Sequence, residues 1–226
     1  MKSKLIKFKK YLHKHEIIST ILSFFVFLLL NKKRIKKDNY INIKKSFFYK
    51  SKFIIYGKNN KIEFDDLCFF KNSTIIIKGN NNFIRFGKEI NGNNVNITIE
   101  NNNNSLLVGD KTYFAGEIHI GITEGTNVVI GNDCLFSNGI SIRTGDSHSV
   151  LDKKTRKRIN FAKNVTINNH VWITERVLLL KGALINNDSI VASNSVVTKQ
   201  FNDSNIIIGG SPAKVIKDNI TWDIDR

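Results

Sequence analysis

Aliphatic residues recur at every sixth position through the last third of the chain: Ile167, Ile173, Leu179, Ile185, Val191 and Val197. Four residues after each of the first five stands a small or short-branched side chain, Val171, Val177, Ala183, Ser189 and Ser195, so two columns keep one register. A helix repeats its apolar positions three and four apart and an alternating strand repeats them two apart, so this period fits neither and marks a solenoid. Each hexapeptide reads as a short strand plus a turn, and three of them close a triangular coil with the aliphatic residue pointing to the axis. Neighbouring coils are separated by one strand spacing, about 4.8 Å, so the inward residues form continuous stacks and no coil is stable alone.

Upstream the period lengthens to 22 residues, with Phe64, Phe86, Val108 and Ile130 anchoring four earlier coils. Such a coil is a triangular turn with extra residues at a corner, and the Asn-rich runs at 79–82 and 101–104 suit corners because Asn and Gly tolerate a left-handed backbone. Four residues beyond the anchors stand Cys68, Ile90, Thr112 and Cys134, which makes the two cysteines core fillers. Three coils separate them, roughly 14 Å at the strand spacing and beyond disulfide reach. Reduced thiols suit a cytoplasmic compartment, and without a C-x-x-C pair no metal is expected.

Charge changes the picture only at the N-terminus. Residues 1–50 hold 14 Lys and Arg against Glu16 and Asp38, a net of +12, which leaves +4 of the overall +16 for the remainder. An apolar run at 17–30 lies between the lysine clusters at 2–14 and 32–37. It is shorter than the roughly 20 apolar residues of a transmembrane helix, and no small-residue cleavage site follows it. Two readings stay open: peripheral contact of residues 1–37 with an anionic membrane on its inner face, or a helix packed over the open first coil. No nucleic-acid recognition motif accompanies the charge, so nucleic acid is not an expected partner.

Residues 144–164 fit neither repeat and must leave the solenoid as a loop, where an insertion held by rigid coils often carries function. His148 stands at its start, and a neutral imidazole in such a place is suited to take a hydroxyl proton near neutral pH. Asp146 either orients that ring or shapes the turn. His119 and His170 lie near coil faces without partner motifs, and His13 and His15 belong to the basic N-terminus.

Four segments in order, RTGDSHS at 143–149, HVWI at 170–173, SNSVVTK at 193–199 and GGSPAKVIK at 209–217, resemble the hexapeptide-repeat acyltransferase superfamily. Within it the chain is most similar to bacterial sugar O-acetyltransferases that modify capsule, lipooligosaccharide and polysialic acid. The resemblance implies an all-β, left-handed parallel β-helix, an exception to the usual right-handed crossover, here preceded by a short basic and apolar helix. It also implies a homotrimer with active sites between subunits. It assigns catalysis to His148, with Trp172 standing 24 residues later as in the polysialic acid enzymes and placed at a hexapeptide corner. It further implies Ser193 beside the pantetheine arm of acetyl-CoA, Thr198 and Lys199 near the adenosine end, and Lys214 and Lys217 near the phosphates. One departure is that Asn168, Thr174, Leu180, Asn186 and Ala192 occupy a position often given to Gly, and Thr174 and Leu180 suit a left-handed turn poorly.

The expected organisation is an N-terminal segment at 1–40, a β-helix at 41–217 carrying the active-site loop, and a tail at 218–226. The expected reaction is acetyl transfer from acetyl-CoA to a carbohydrate hydroxyl by direct attack. Acetylation of an amino-sugar nitrogen or of serine, and a non-catalytic glycan-binding or scaffold solenoid, are the alternatives.

Overall fold

The protein is described here from a computed structural model covering residues 15–225. The lysines at 2–14 invoked for membrane contact, and His13, therefore lie outside the described residues. The chain winds as a left-handed parallel β-helix of about eight turns behind one helix, the solenoid expected from the repeat with the hand that the family resemblance implies. Its first face is an eight-stranded sheet running from Tyr40–Asn42 through Lys61–Phe64, Phe83–Phe86, Ser105–Val108, Asn127–Ile130, Val165–Ile167 and Leu184–Ile185 to Gln200–Phe201. The second and third faces merge into one sheet because the strands Tyr113–Ile122 and Leu135–Arg143 run unbroken round the corner between them. The third face begins upstream of residue 41, where Lys32–Ile35 pairs in parallel with Lys52–Ile55.

All six aliphatic anchors are fully buried, as are the upstream Phe64, Phe86 and Ile130. The rings of Phe64 and Phe86 stack 4.9 Å apart with planes 1° from parallel. Cys68 and Cys134 are buried among them, and burial raises the Cys134 thiol to about 11, which removes its nucleophilic form at neutral pH. One coil more exists than the 22-residue period predicts. Tyr40–Asn42 pairs with Lys61–Phe64 at a spacing of 21, so Ile43, packed against the core, replaces the polar Asn42 as the anchor.

The Asn-rich corners do more than turn the chain. Asn60, Asn82 and Asn104 are buried in one ladder, in which the Asn82 amide donates to Asn60 Oδ1 at 3.0 Å and the Asn104 amide donates to Asn82 Oδ1 at 2.9 Å. Each carbonyl oxygen also accepts the backbone N–H of the next rung. In the strict hexapeptides the left-handed residues are His170, Arg176, Gly182, Asp188 and Asn194. Thr174 and Leu180 are therefore free of the strain that a left-handed second position implied.

The helix α1, Glu16–Leu30, closes the first coil. Ser19, Ser23 and Phe27, spaced four apart, form its buried stripe, and the Phe27 ring meets Phe48 and Phe53 edge-on at 5.7 and 5.0 Å. Asn31 ends the helix: its amide donates to Val26 O and Phe48 O, and its Oδ1 accepts the Ser51 N–H. The capping role is thus filled by one narrow stripe. Among the described residues no helix is long and apolar enough to cross a membrane.

Replacing Asn82 by Ala strands the Asn104 backbone and side-chain donors in the interior. This is expected to lower unfolding stability by about 2–4 kcal/mol, whereas Asn80→Ala at the exposed corner should cost under about 0.5 kcal/mol. Paired urea denaturation curves check both, and equal losses would contradict the ladder's importance.

Candidate active site

The interruption sits where the third face turns toward the first, between Leu135–Arg143 and Val165–Ile167. Its root is fixed by the buried Thr144, whose Oγ1 accepts from the Thr126 hydroxyl at 2.7 Å and whose carbonyl accepts the Lys163 N–H at 2.9 Å. Beyond the root the chain doubles back as a hairpin, with Leu151 bridged to Arg158 and the Ile159 N–H bonded to Val150 O. Arg158 pins this hairpin to the solenoid through Glu124 at 2.6 Å.

Asn160 organises the start of the loop. Its amide donates to His148 O at 2.7 Å and to Asp146 Oδ2 at 2.9 Å, and its Oδ1 accepts the Val150 N–H at 2.7 Å. Lys181, from the next coil, forms a short ion pair with Asp146 and also donates to Asn160 O. Asp146 is thereby committed to Lys181 and Asn160, so of its two open roles it takes the shaping of the turn. Ser147 adopts φ 65°, which carries the chain past Asp146, and the His148 N–H bonds Asp146 O at 2.8 Å. The His148 side chain is exposed, and among the described residues its ring has no hydrogen-bond partner.

Beside Ser147 opens a cavity of about 600 Å³, lined also by Glu100, His119, Glu124, Arg143 and Arg158. His119 is held below the usual histidine pKa, first by burial and then by the Arg143 charge. It was legible only as a face residue. Its register explains its place: it lies between Asn96 and Ser141 on the third face, immediately before the coil that opens into the loop.

Trp172 lies elsewhere. It is the outward residue of the strand Trp172–Ile173, paired with Leu135 and Ile190 on the second face, and not a corner residue as the hexapeptide position suggested. Its indole N–H reaches Ser137 Oγ at 3.3 Å. The tail returns over it. Trp222 stacks on His170 at 4.3 Å with planes 8° apart, donates its indole N–H to His170 O at 2.8 Å, and stands 5.9 Å from the Trp172 ring. His170 Nδ1 is also 2.8 Å from Asp188 Oδ1. Nothing in the repeat singles out Trp222, since its contacts arise across 52 residues of sequence.

The residues expected to hold a cofactor divide between two corners and the terminal strand. Ser193 is exposed between the second and third faces, its hydroxyl bonded to Thr174 Oγ1 at 3.1 Å. Thr198 and Lys199 are exposed between the third and first faces, the corner that also emits the loop. Lys214 and Lys217 are exposed on Ala213–Lys217, which pairs antiparallel with Ile207–Gly210 at the end of the second face. Among the described residues no hydrogen bond or ring contact joins His148 to Trp172. No group of three or more His, Cys, Asp or Glu among them is arranged to hold a metal ion.

No family model matches the chain. It is 32% identical over 117 residues to a polysialic acid O-acetyltransferase of Escherichia coli O1:K1 / APEC, covering 52% of this chain and 38% of that protein. A polysialic acid O-acetyltransferase of Neisseria meningitidis is 33% identical over 107 residues, covering 47% of this chain and 50% of its own length. The matched region thus spans half or less of these curated relatives. The solved structure of the polysialic acid O-acetyltransferase OatWY superposes with a TM-score of 0.82 at 32% identity, covering 87% of this chain and 92% of that one.

Lys181 first, and then Asn160, hold the Asp146 carboxyl below its ordinary value of 3.8. A depressed carboxylate stabilises the loop above the unfolded-state pKa, and that contribution is lost as pH falls through the lower folded value. Amide exchange protection at His148 and Val150 should therefore persist through mild acid and collapse only below the usual carboxylate range. Lys181→Ala should cut the same protection several-fold at neutral pH while leaving the solenoid strands unaffected. Unchanged protection would show that the ion pair does not order the loop.

Proposed function

This chain belongs to the hexapeptide-repeat O-acetyltransferase family, and we propose that it moves an acetyl group from acetyl-CoA to a hydroxyl of a cell-surface carbohydrate or its precursor, with His148 as general base. The names of its relatives favour an acidic, sialic-acid-type glycan as acceptor. The observation that carries the reading is the environment of His148: Asp146, Asn160 and Lys181 hold the backbone around it, while the imidazole itself is uncommitted. A base whose position is fixed and whose nitrogens are free meets the geometric demand of proton abstraction.

The acceptor oxygen attacks the thioester carbonyl carbon while its proton passes to His148. The tetrahedral intermediate collapses with cleavage of the C–S bond, and the imidazolium returns the proton to the departing sulfur. The Trp172 indole, bonded at the long distance of 3.3 Å to Ser137, is the donor assigned to the developing oxyanion or to the acceptor sugar. A covalent acyl-enzyme is disfavoured because both cysteines are buried. The cavity beside Ser147 receives the acceptor, with Arg143 available to an acidic sugar. Ser193 serves the pantetheine arm, Thr198 and Lys199 the adenosine end, and Lys214 and Lys217 the phosphates. Use of acetyl-CoA assigns the reaction to the cytoplasm.

His148, Thr198 and Lys199 lie at the loop corner whereas Trp172, Ser193, Lys214 and Lys217 lie on or beside the second face, and a homotrimer that brings one chain's loop corner against the next chain's second face would unite them. The loop supports such a contact, for it exposes Val150, Leu151, Ile159 and Phe161 beside His148.

His148→Ala is expected to reduce kcat by about 10²–10⁴-fold with acetyl-CoA and a sialylated acceptor, while acetyl-CoA affinity and the sedimentation coefficient stay unchanged. Turnover close to that of the natural protein would sink the assignment of the base. Failure of acetyl-CoA to bind at all would instead favour a non-catalytic solenoid.

A further inference from the structure

The helix α1 is inside out. An amphipathic helix on a water-soluble body turns its apolar stripe inward and its polar face to solvent. Here Ser19 and Ser23 are fully buried, the Ser23 hydroxyl bonding Lys44 O of the first coil at 2.8 Å, and Phe27 is the one fully apolar side chain of the helix that is buried with them. On the opposite side Ile17, Ile21, Phe24, Phe25, Leu28 and Leu29 are exposed, Ile17 by 77% and Leu29 by 78%. A continuous apolar face of this size is rare on a monomeric soluble protein and marks a contact surface.

The surroundings specify the contact. Directly after the helix stand Lys32, Arg34, Lys36 and Lys37, all exposed, with Asp38 the lone acid of that segment, and the preceding residues contribute further lysines in sequence. Lys33 alone is turned back, donating to Phe27 O at 2.9 Å and closing the helix end. A protein partner would need an apolar groove inside an acidic rim, whereas an anionic leaflet offers apolar chains beneath a negative surface along the whole helix. Fifteen residues of helix measure about 22 Å, short of the roughly 30 Å hydrocarbon core, so the helix lies in the membrane plane.

We propose that the exposed face of α1 inserts into the interfacial layer of an anionic lipid bilayer, with the flanking lysines on its headgroups, so that the solenoid stands on the membrane by its N-terminal end. The proposal is independent of the acetyl-transfer reading, because vesicle binding reads it without turnover.

The full chain is mixed with phosphatidylglycerol-containing vesicles or with phosphatidylcholine vesicles and floated on a density gradient. Flotation is expected with the anionic vesicles, at least about ten-fold stronger than with the neutral ones and weakened by salt. The variant Phe24→Ser/Phe25→Ser/Leu29→Ser should lose flotation while keeping the circular dichroism and thermal midpoint of the natural chain, and Lys32→Glu/Lys36→Glu/Lys37→Glu should lose it on anionic vesicles as well. Absence of flotation, or flotation unchanged in the serine variant, would overturn the proposal. A serine variant that changes sedimentation coefficient in lipid-free buffer would also overturn it, by assigning the face to a second copy of the chain.

Discussion

Each coil must reproduce the cross-section of the coil beneath it. Parallel strands about 4.8 Å apart set every side chain directly over its counterpart, so each position along a coil becomes a column that must tolerate itself. Aromatic rings satisfy this by stacking, as Phe64 over Phe86 and Phe47 over Phe69, the latter 5.4 Å apart and 11° from parallel. Like charges do not, since they repel when directly opposed. Opposite charges meet between several coils, as with Lys78 and Glu100, Lys44 and Asp65, or Glu63 and Arg85, whereas Lys32 and Lys52 at the N-terminal edge are directly opposed. Asparagine is the polar residue that stacks on itself without penalty, because its amide carries both donor and acceptor. The Asn-rich composition of the upstream coils is thus a demand of the column, met by Asn60, Asn82 and Asn104 in the interior and by Asn80 and Asn102 at the surface.

The same constraint decides where chemistry can reside. A face residue is fixed by its neighbours above and below, and only corners admit an insertion without breaking a column. The loop at 144–164 uses such a corner, and it is held by polar bonds through Asn160, Asp146, Arg158 and Lys181 in place of an apolar core of its own. Those bonds tie its backbone to two different coils, through Glu124 on one side and Lys181 on the other. The imidazole of His148 is consequently carried on a rigid frame even though it touches nothing itself.

What could be read from the chain follows the columns closely. The six- and 22-residue periods located the anchors, the buried cysteines and the loop, because each is a property of position within a coil. The first coil escaped because it is one residue shorter, which moves its anchor from Asn42 to Ile43. Trp172 was misplaced by one step, since a two-residue strand has an outward member that the hexapeptide count assigns to the corner. Asp146 was ambiguous for a different reason: its partner Lys181 is 35 residues away and belongs to the next coil. Trp222 and His170 were unreadable as a pair, since the tail carries no repeat and nothing local announces where it docks.

The two ends of the solenoid meet one problem with different elements. Stacking leaves a terminal coil with an exposed core, and a cap in water needs a polar outer side. At the C-terminal end the strand Ala213–Lys217 folds back antiparallel, with Ile216 approaching so near Gly209 that a Cβ there would lie 2.5 Å from its Cδ1. That cap displays Lys214, Lys217, Asp218 and Asn219 to solvent, with Val215 and Ile216 exposed among them. At the N-terminal end α1 closes the coil through Phe27, Asn31 and two serines and turns its aliphatic and aromatic residues outward. Capping alone requires only the inner stripe, and Lys or Glu in place of Ile17, Phe25 or Leu29 would serve it equally well. The outer face of α1, where Ile17, Ile21, Phe24, Phe25, Leu28 and Leu29 are exposed together, therefore answers to a requirement beyond closing the core.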